Sequence, residues 1–230
     1  MPGALQAVRT DGKRGVFFKM KLEGAIFDLD GTLLDSMPAW NNAGPDYLRS
    51  LGLEPEENLG ARVRKMSLYQ AACLFRDEYG VQKSTDEIMS GIDRVIEDFY
   101  FTRVQAKPGA AEFLGRLKTE GVKMCVATAT DLHLVKAALA RTGLSEYFGR
   151  IFTCTEVGHG KDEPDIFNIA FEYLGTDKGS TVIFEDALFA AETAKRAGFK
   201  VCAVYDALER QPEKLKALAD YYIQSFADIK

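Results

Sequence analysis

The chain of 230 residues is long enough for one large domain or for a core with an inserted module. Hydrophobic residues make up 47% and charged residues 27%, which is ordinary for a globular protein. The formal net charge of -5 argues against a general nucleic-acid binder and against a protein of anionic membrane surfaces.

Membrane and secretion signals are not evident in the sequence. No apolar run approaches the ~20 residues of a membrane span, and the N-terminus lacks an apolar segment followed by a cleavage site. The spacing of Cys73, Cys125, Cys154 and Cys202 matches neither a metal clip nor a disulfide framework. We therefore expect reduced core thiols and a cytoplasmic location.

Residues 1–19 differ from the rest of the chain, because they combine three glycines and four basic residues without a clear hydrophobic period. We expect a loose N-terminal extension here, with a targeting arm as the alternative. A globular core is expected from residue 20 onward. Its first strand, at residues 25–27, is short and apolar and runs directly into Asp28.

A helical block interrupts the chain after this strand. Pro38 suits the first turn of its first helix, and Ser84 with Glu87 predicts a capping box at the start of its last one. The block predicts an inserted all-helical cap domain at 36–104, between core segments 20–35 and 105–230. Its helices are predicted at 38–51, 56–65, 68–79 and 85–103.

Strands and helices alternate after the cap. Strands buried on both faces of a parallel sheet should be almost wholly apolar, as these runs are. The alternation predicts βαβ units, and therefore an α/β fold with a parallel sheet. The strands are predicted at 122–127, 151–153, 181–184 and 200–204, and the helices near 109–120, 132–142, 163–174 and 187–197.

The first strand leads into the motif Asp28-Leu29-Asp30-Gly31-Thr32. Period-two geometry places the two carboxylates on the same side of an extended backbone, at the sheet edge where parallel sheets bind ligands. Two such close carboxylates repel each other unless a cation neutralises them, and Mg²⁺ suits oxygen ligands. An ordinary aspartate-rich turn is the structural alternative.

Other polar residues also follow predicted strands. Thr128, Lys161 and the pair Glu185-Asp186 each lie at or just beyond a strand end. Each has an ordinary explanation when taken alone: a turn residue, a solvated lysine, or acids that complement a helix dipole. Because all of them fall at the same edge of one predicted sheet, together they predict a shared site.

These motifs resemble those of the haloacid dehalogenase superfamily, in the subgroup with a helical cap, and in particular its β-phosphoglucomutase-like phosphatases. The resemblance covers residues 22 to about 225 and implies a Rossmann-like core with Mg²⁺ dependence. Its motifs stand in order: Phe-Asp-Leu-Asp-Gly-Thr at 27–32, the strand ending in Thr128, Lys161 with Pro164-Asp165, and Phe184-Glu185-Asp186.

The resemblance also implies a mechanism. Asp28 would attack phosphorus and form an aspartyl-phosphate, and Asp30 would act as general acid and base. Thr128 and Lys161 would complete the catalytic set by binding the phosphoryl oxygens. The implied phosphate-binding residues are Asp28, Leu29, Asp30, Thr128, Ala129 and Lys161; the implied metal ligands are Asp28 and Asp186, the backbone carbonyl of Asp30, and Glu185 directly or through water.

Departures from the family pattern separate the alternatives. The dehalogenases and phosphonate hydrolases that this chain resembles lack a carboxylate at the position of Asp30, so its presence favours phosphate esters. Phosphomutases of this cap type carry a cap histidine and a cap arginine, where this chain has Trp40 and Leu68. Both differences favour a phosphatase. The alternatives are a phosphomutase of the β-phosphoglucomutase type and a non-catalytic binding or regulatory protein.

The cap residues Trp40, Asn41, Arg64 and Lys65 are candidates for substrate specificity, with cap packing or a solvated surface as the other interpretation. A shifted loop would let Arg62, Arg64 or Lys65 anchor a second phosphate. In the last motif, Ala187 replaces a serine common in relatives, which predicts somewhat weaker metal binding. The expected partner is a small phosphorylated metabolite, with no nucleic acid or membrane partner and a monomer or weak dimer.

Overall fold

The computed structural model describes residues 5–7, 18–20, 22–63, 66 and 68–229. The chain divides into two compact units, one formed by Met1–Asp35 and Gln105–Lys230 and the other by Ser36–Val104. At the base of the insertion, the backbone N–H of Asp35 donates a hydrogen bond to the carbonyl of Gln105 at 3.0 Å. The two segments of the first unit, which the insertion separates in the chain, are therefore hydrogen-bonded to each other next to the insertion.

The N-terminal segment contributes two short strands, β1 (Leu5–Ala7) and β2 (Phe18–Met20), which pair in an antiparallel register. Strand β1 lies within residues 1–19, the segment predicted to be a loose extension. Strand β2 begins in this segment and ends one residue beyond it, at Met20. Residues 8–17 of that segment lie outside the described residues.

The Ser36–Val104 unit is helical over its described residues. The predicted capping box is confirmed, because the Ser84 hydroxyl accepts from the Glu87 backbone and the Glu87 carboxylate accepts from the Ser84 backbone. The second helix begins at Leu59 rather than at the predicted residue 56, and the predicted residues 64 and 65 lie outside the described residues. The helices are α1 Met37–Ser50, α2 Leu59–Val63, α3 Leu68–Tyr79 and α4 Thr85–Thr102.

A parallel sheet lies at the centre of the other unit. In spatial order its strands are β5 Ile151–Thr153, β4 Lys123–Thr128, β3 Gly24–Phe27, β6 Thr181–Glu185, β7 Lys200–Val204 and β8 Tyr221–Ile223. This confirms the predicted α/β fold. The edge strand β8 was not predicted from the sequence, since it is only three residues long and two of them are half-buried tyrosines.

Helices connect these strands, and apolar clusters lie on both faces of the sheet. Ile26 and Ile183 belong to a cluster with Phe167, whereas the next residues along the strands, Phe27 and Phe184, stack with ring centroids 4.4 Å apart. The alternation follows from the period of two in a strand. The helices are α5 Ala110–Thr119, α6 Leu132–Thr142, α7 Cys154–Val157, α8 Asp165–Leu174, α9 Leu188–Arg196 and α10 Pro212–Leu218.

The cysteine prediction holds in part. All four cysteines are free, but only Cys125 and Cys202 are buried in the sheet, while Cys73 and Cys154 are half-buried on helices. In the described ranges, no helix combines the length and the apolar character needed to cross a membrane.

Candidate active site

Strand register brings the predicted site residues to one edge of the sheet. Phe27 pairs with Val126 on one side and with Phe184 on the other, so the residues after these strands share the carboxyl edge. The N–H of Asp28 donates to the carbonyl of Phe184 at 2.9 Å, which fixes the residue that follows β3 against β6. Parallel pairing places the carboxyl ends of these strands at the same edge of the sheet, so the polar residues that follow them lie together there.

Three carboxylates converge at this edge. Oxygens of Asp28, Glu185 and Asp186 all lie within 4.8 Å of one another, and all three residues are buried. Lys161 joins them: its ammonium group pairs with Asp28 and also donates to Glu185 at 2.8 Å. Lys161 is itself buried, so the alternative of a solvated surface lysine is excluded.

The buried carboxylates of this cluster repel one another, and without a further cation Lys161 compensates their charge only in part. Burial and the charge of Glu185 raise the pKa of Asp28 to about 6, although Lys161 opposes the shift. Burial and the charges of Asp28 and Glu185 also raise the pKa of Asp186 well above its usual value. Burial alone would lower the pKa of Lys161, but Asp28 and Glu185 outweigh it and raise that pKa.

This charge imbalance tests whether the residues fit a metal ion. Three carboxylates against one ammonium group leave two formal negative charges in excess when all are ionised. Crowded carboxylate oxygens with that excess are a suitable donor set for a hard divalent cation. The predicted ligands Asp28, Asp186 and Glu185 therefore come together, and the cluster fits a divalent metal.

Asp186 is further held by Thr32, whose hydroxyl donates to the Asp186 carboxylate at 2.9 Å in a buried position. No role was predicted for Thr32 from the sequence, although it stands in the first motif. A buried carboxylate that accepts such a bond keeps one orientation. We infer that Thr32 orients Asp186 within the acidic cluster.

Asp30 occupies a separate position. Its side chain is not part of the acidic cluster; instead it accepts a hydrogen bond from the Thr130 hydroxyl at 2.5 Å. Thr128, which ends β4, accepts a hydrogen bond at its own hydroxyl oxygen from the Thr130 N–H at 3.1 Å. That contact leaves the Thr128 proton available to donate to a ligand. Ala129 lies between the two threonines and is exposed.

The helix after the acidic pair is capped from a distance. Its N-cap residue, Ala187, has no side-chain cap. Instead, the carboxylate of Glu209, in the loop after β7, accepts from the N–H of Leu188 at 3.0 Å. The weaker metal binding expected from the absence of a serine at position 187 stays a prediction. Glu209 supplies the helix cap that a serine there could provide, because a carboxylate is favourable at a helix N-terminus.

We expect Glu209→Ala to lower the free energy of unfolding by about 1 kcal/mol, because the variant removes the acceptor for Leu188. Ala187→Ser added to this variant should recover most of the loss, since serine at the N-cap accepts from the first helical turn. Urea unfolding checks both values, with Glu192→Ala, an exposed position on the same helix, as the matched control. Unchanged stability of Glu209→Ala would contradict the cap assignment.

The cap candidates belong to the helical unit. Trp40 donates from its indole nitrogen to the Tyr100 hydroxyl at 2.8 Å and remains 42% exposed. Trp40 and Asn41 both line a cavity of about 320 Å³ within this unit. Arg64 and Lys65 lie outside the described residues.

Arg62, one of the predicted phosphate anchors, has other partners. It pairs with Glu56 at 2.9 Å and with Glu78 at 2.7 Å. Leu68, at the position that carries an anchor in the phosphomutase pattern, begins α3.

Comparisons with known proteins agree with this geometry. The protein-family model of the haloacid dehalogenase-like hydrolases matches residues 22–198. Hexitol phosphatase A of Escherichia coli is 33% identical over 189 residues, covering 80% of this chain and 84% of the relative. A phosphorylated carbohydrates phosphatase of Thermotoga maritima is 26% identical over 179 residues, covering 78% of this chain and 83% of the relative.

Solved structures show the same fold. A Thermotoga maritima structure provisionally assigned as a β-phosphoglucomutase superposes with a TM-score of 0.79 at 25% identity, covering 88% of this chain and 94% of that chain. CbbY from Rhodobacter sphaeroides, in complex with phosphate, superposes with a TM-score of 0.72 at 23% identity, covering 90% and 96%. The family resemblance predicted from the motifs is confirmed: the chain is an enzyme of the hydrolase class and belongs to the haloacid dehalogenase-like hydrolase family.

Proposed function

We propose that this protein is a Mg²⁺-dependent phosphatase that hydrolyses a small-molecule phosphate monoester through an aspartyl-phosphate on Asp28. One observation carries the proposal. Asp28 is buried beside the buried Lys161 and two further carboxylates at the carboxyl edge of the sheet. The second aspartate, Asp30, lies outside this acidic cluster and accepts a hydrogen bond from Thr130. The two aspartates therefore have different surroundings and are suited to different tasks.

The first half-reaction forms the phospho-enzyme. A carboxylate oxygen of Asp28 bonds to phosphorus while the bond from phosphorus to the ester oxygen breaks. Asp30 gives its proton to that oxygen, which leaves as the alcohol. Lys161 and the Thr128 hydroxyl donate to the phosphoryl oxygens, as do backbone N–H groups near Leu29 and Ala129, and stabilise the charge of the transition state.

The second half-reaction regenerates the enzyme. Asp30, now a carboxylate, takes a proton from water as the water oxygen bonds to phosphorus. The bond between phosphorus and the Asp28 oxygen then breaks, which releases phosphate and restores both aspartates. Mg²⁺, held by Asp28, Asp186, the Asp30 carbonyl and Glu185, would neutralise negative charge on the carboxylates and the phosphoryl group.

The substrate class comes from the relatives. The names of the similar enzymes specify phosphatases of phosphorylated carbohydrates and of hexitols, so we propose a sugar or polyol phosphate. A phosphomutase must also hold a second phosphate, and Arg62 is engaged by two glutamates instead. The phosphatase is therefore favoured over the mutase. A cytoplasmic location and a monomer or weak dimer remain part of the proposal.

The test is phosphate release from 4-nitrophenyl phosphate and from a panel of hexose, hexitol and glycerol phosphates, with Mg²⁺ or with a chelator. We expect release with Mg²⁺ and a fall of at least about 100-fold with the chelator, because the carboxylates then lack their counter-ion. Release that the chelator leaves unchanged would contradict metal dependence. Conversion of a hexose 1-phosphate into its 6-phosphate without release would establish the mutase instead.

A further inference from the structure

The hydroxyl of Thr130 holds the carboxylate of Asp30, although the two residues are 100 positions apart in the chain. The distance from Oγ1 to Oδ2 is 2.5 Å, at the short end of the range for a hydroxyl that donates to an ionised carboxylate. Thr130 is 6% exposed, whereas Asp30 is half-buried. A buried donor therefore restrains the carboxylate of a half-buried residue.

The segment around Thr130 is fixed on both sides. Before it, the Thr130 N–H donates to the Thr128 hydroxyl oxygen at 3.1 Å at the end of β4. After it, the backbone carbonyl of Asp131 accepts from Leu134 at 3.0 Å as α6 begins, and the Asp131 carboxylate accepts from Thr155 at 3.0 Å. Because strand, helix and side-chain contacts all hold this turn, the hydroxyl is presented to Asp30 from a pre-organised position.

The geometry points to Thr130 as a positioning residue that keeps the Asp30 carboxyl in place through both half-reactions. The inference rests on the proposed function, in which Asp30 alternates between acid and carboxylate. The Thr130 hydroxyl donates to Oδ2 of Asp30, which leaves Oδ1 to carry the proton that moves, so the same hydrogen bond is kept whether Asp30 is the acid or the carboxylate. Thr130 keeps its own proton throughout, because the proton that moves travels between Asp30 and the ester oxygen or water.

The inference makes a leaving-group prediction. Phenyl phosphate and 4-nitrophenyl phosphate have nearly the same shape, but phenolate is the poorer leaving group and depends more on protonation by Asp30. We expect Thr130→Val to lower kcat/KM for phenyl phosphate about 10- to 100-fold, because a misplaced reacting group costs that much. For 4-nitrophenyl phosphate we expect kcat/KM to change less than about threefold, with an initial burst of nitrophenol because water attack still needs a positioned base.

Matched variants separate positioning from folding. Thr130→Ser keeps the hydroxyl and should retain wild-type rates with both esters, and Thr130→Ala repeats the test if the valine variant is poorly folded. In an Asp30→Asn background, Thr130→Val should cost no more than about twofold further, because the residues act as one unit. Equal losses with both esters, wild-type rates in Thr130→Val, or full additivity with Asp30→Asn would each overturn the inference. Wild-type rates in Asp30→Asn itself would instead refute the acid–base role in the proposed function.

Discussion

Asp28→Asn is expected to abolish phosphate release, by at least about four orders of magnitude, because an amide cannot form the acyl-phosphate bond. The fold should survive the change. Burial and Glu185 already make the negative charge of Asp28 unfavourable, so a neutral isostere relieves repulsion in the acidic cluster. The measurements are phosphate release and mass spectrometry of acid-quenched protein, in which the wild-type phosphopeptide should contain Asp28.

The control for this variant lies seven residues further along the same segment. Asp35 is exposed, and the structure assigns its side chain no place in the acidic cluster. Asp35→Asn should therefore keep both wild-type turnover and the phosphopeptide. Turnover by Asp28→Asn, or a phosphopeptide that excludes Asp28, would contradict covalent catalysis at this residue.

The sheet and the carboxyl edge of the site could be predicted because their causes are local. Apolar runs such as 181–184 predict buried strands, and parallel strands must place the residues that follow them at one edge. The convergence of Asp28, Lys161 and Glu185 follows from that rule together with the register, in which Phe27 pairs with Phe184.

The remaining features depend on contacts between segments that are distant in the chain. Nothing local marks Thr130 as the partner of Asp30, because the contact requires β4 to lie beside β3 and the following turn to bend back. The cap at Leu188 comes from Glu209, in the loop after the next strand. The sequence left Arg62 open as a phosphate anchor. Its ion pairs with Glu56 and Glu78 are evident only in the folded structure.

Lys161→Met should reduce phosphate release by at least about 100-fold and destabilise the chain. The activity falls because the variant removes a charged donor to the phosphoryl group, an interaction of the size found in oxyanion sites. The stability falls because Asp28 and Glu185 then remain buried without their shared cation. Breaking a buried pair in this way costs about 3–5 kcal/mol. Urea unfolding in the presence of chelator measures the cost without compensation by bound metal.

The pH dependence shows whether the lost charge, rather than the lost volume, causes this instability. Burial already raises the pKa of Asp28 from 3.8 to about 6, and removing Lys161 raises that pKa further. The folded variant then binds this proton more tightly than the unfolded chain, so its stability relative to wild type falls as the pH rises through about 6. We expect the stability of Lys161→Met to lie far below that of wild type at pH 8 and only slightly below it at pH 5.

Lys195→Met, which removes a half-exposed partner of Asp220, is the matched control and should cost no more than about 1 kcal/mol and leave activity intact. A deficit of Lys161→Met that is the same at both pH values would contradict the electrostatic explanation and attribute the loss to packing.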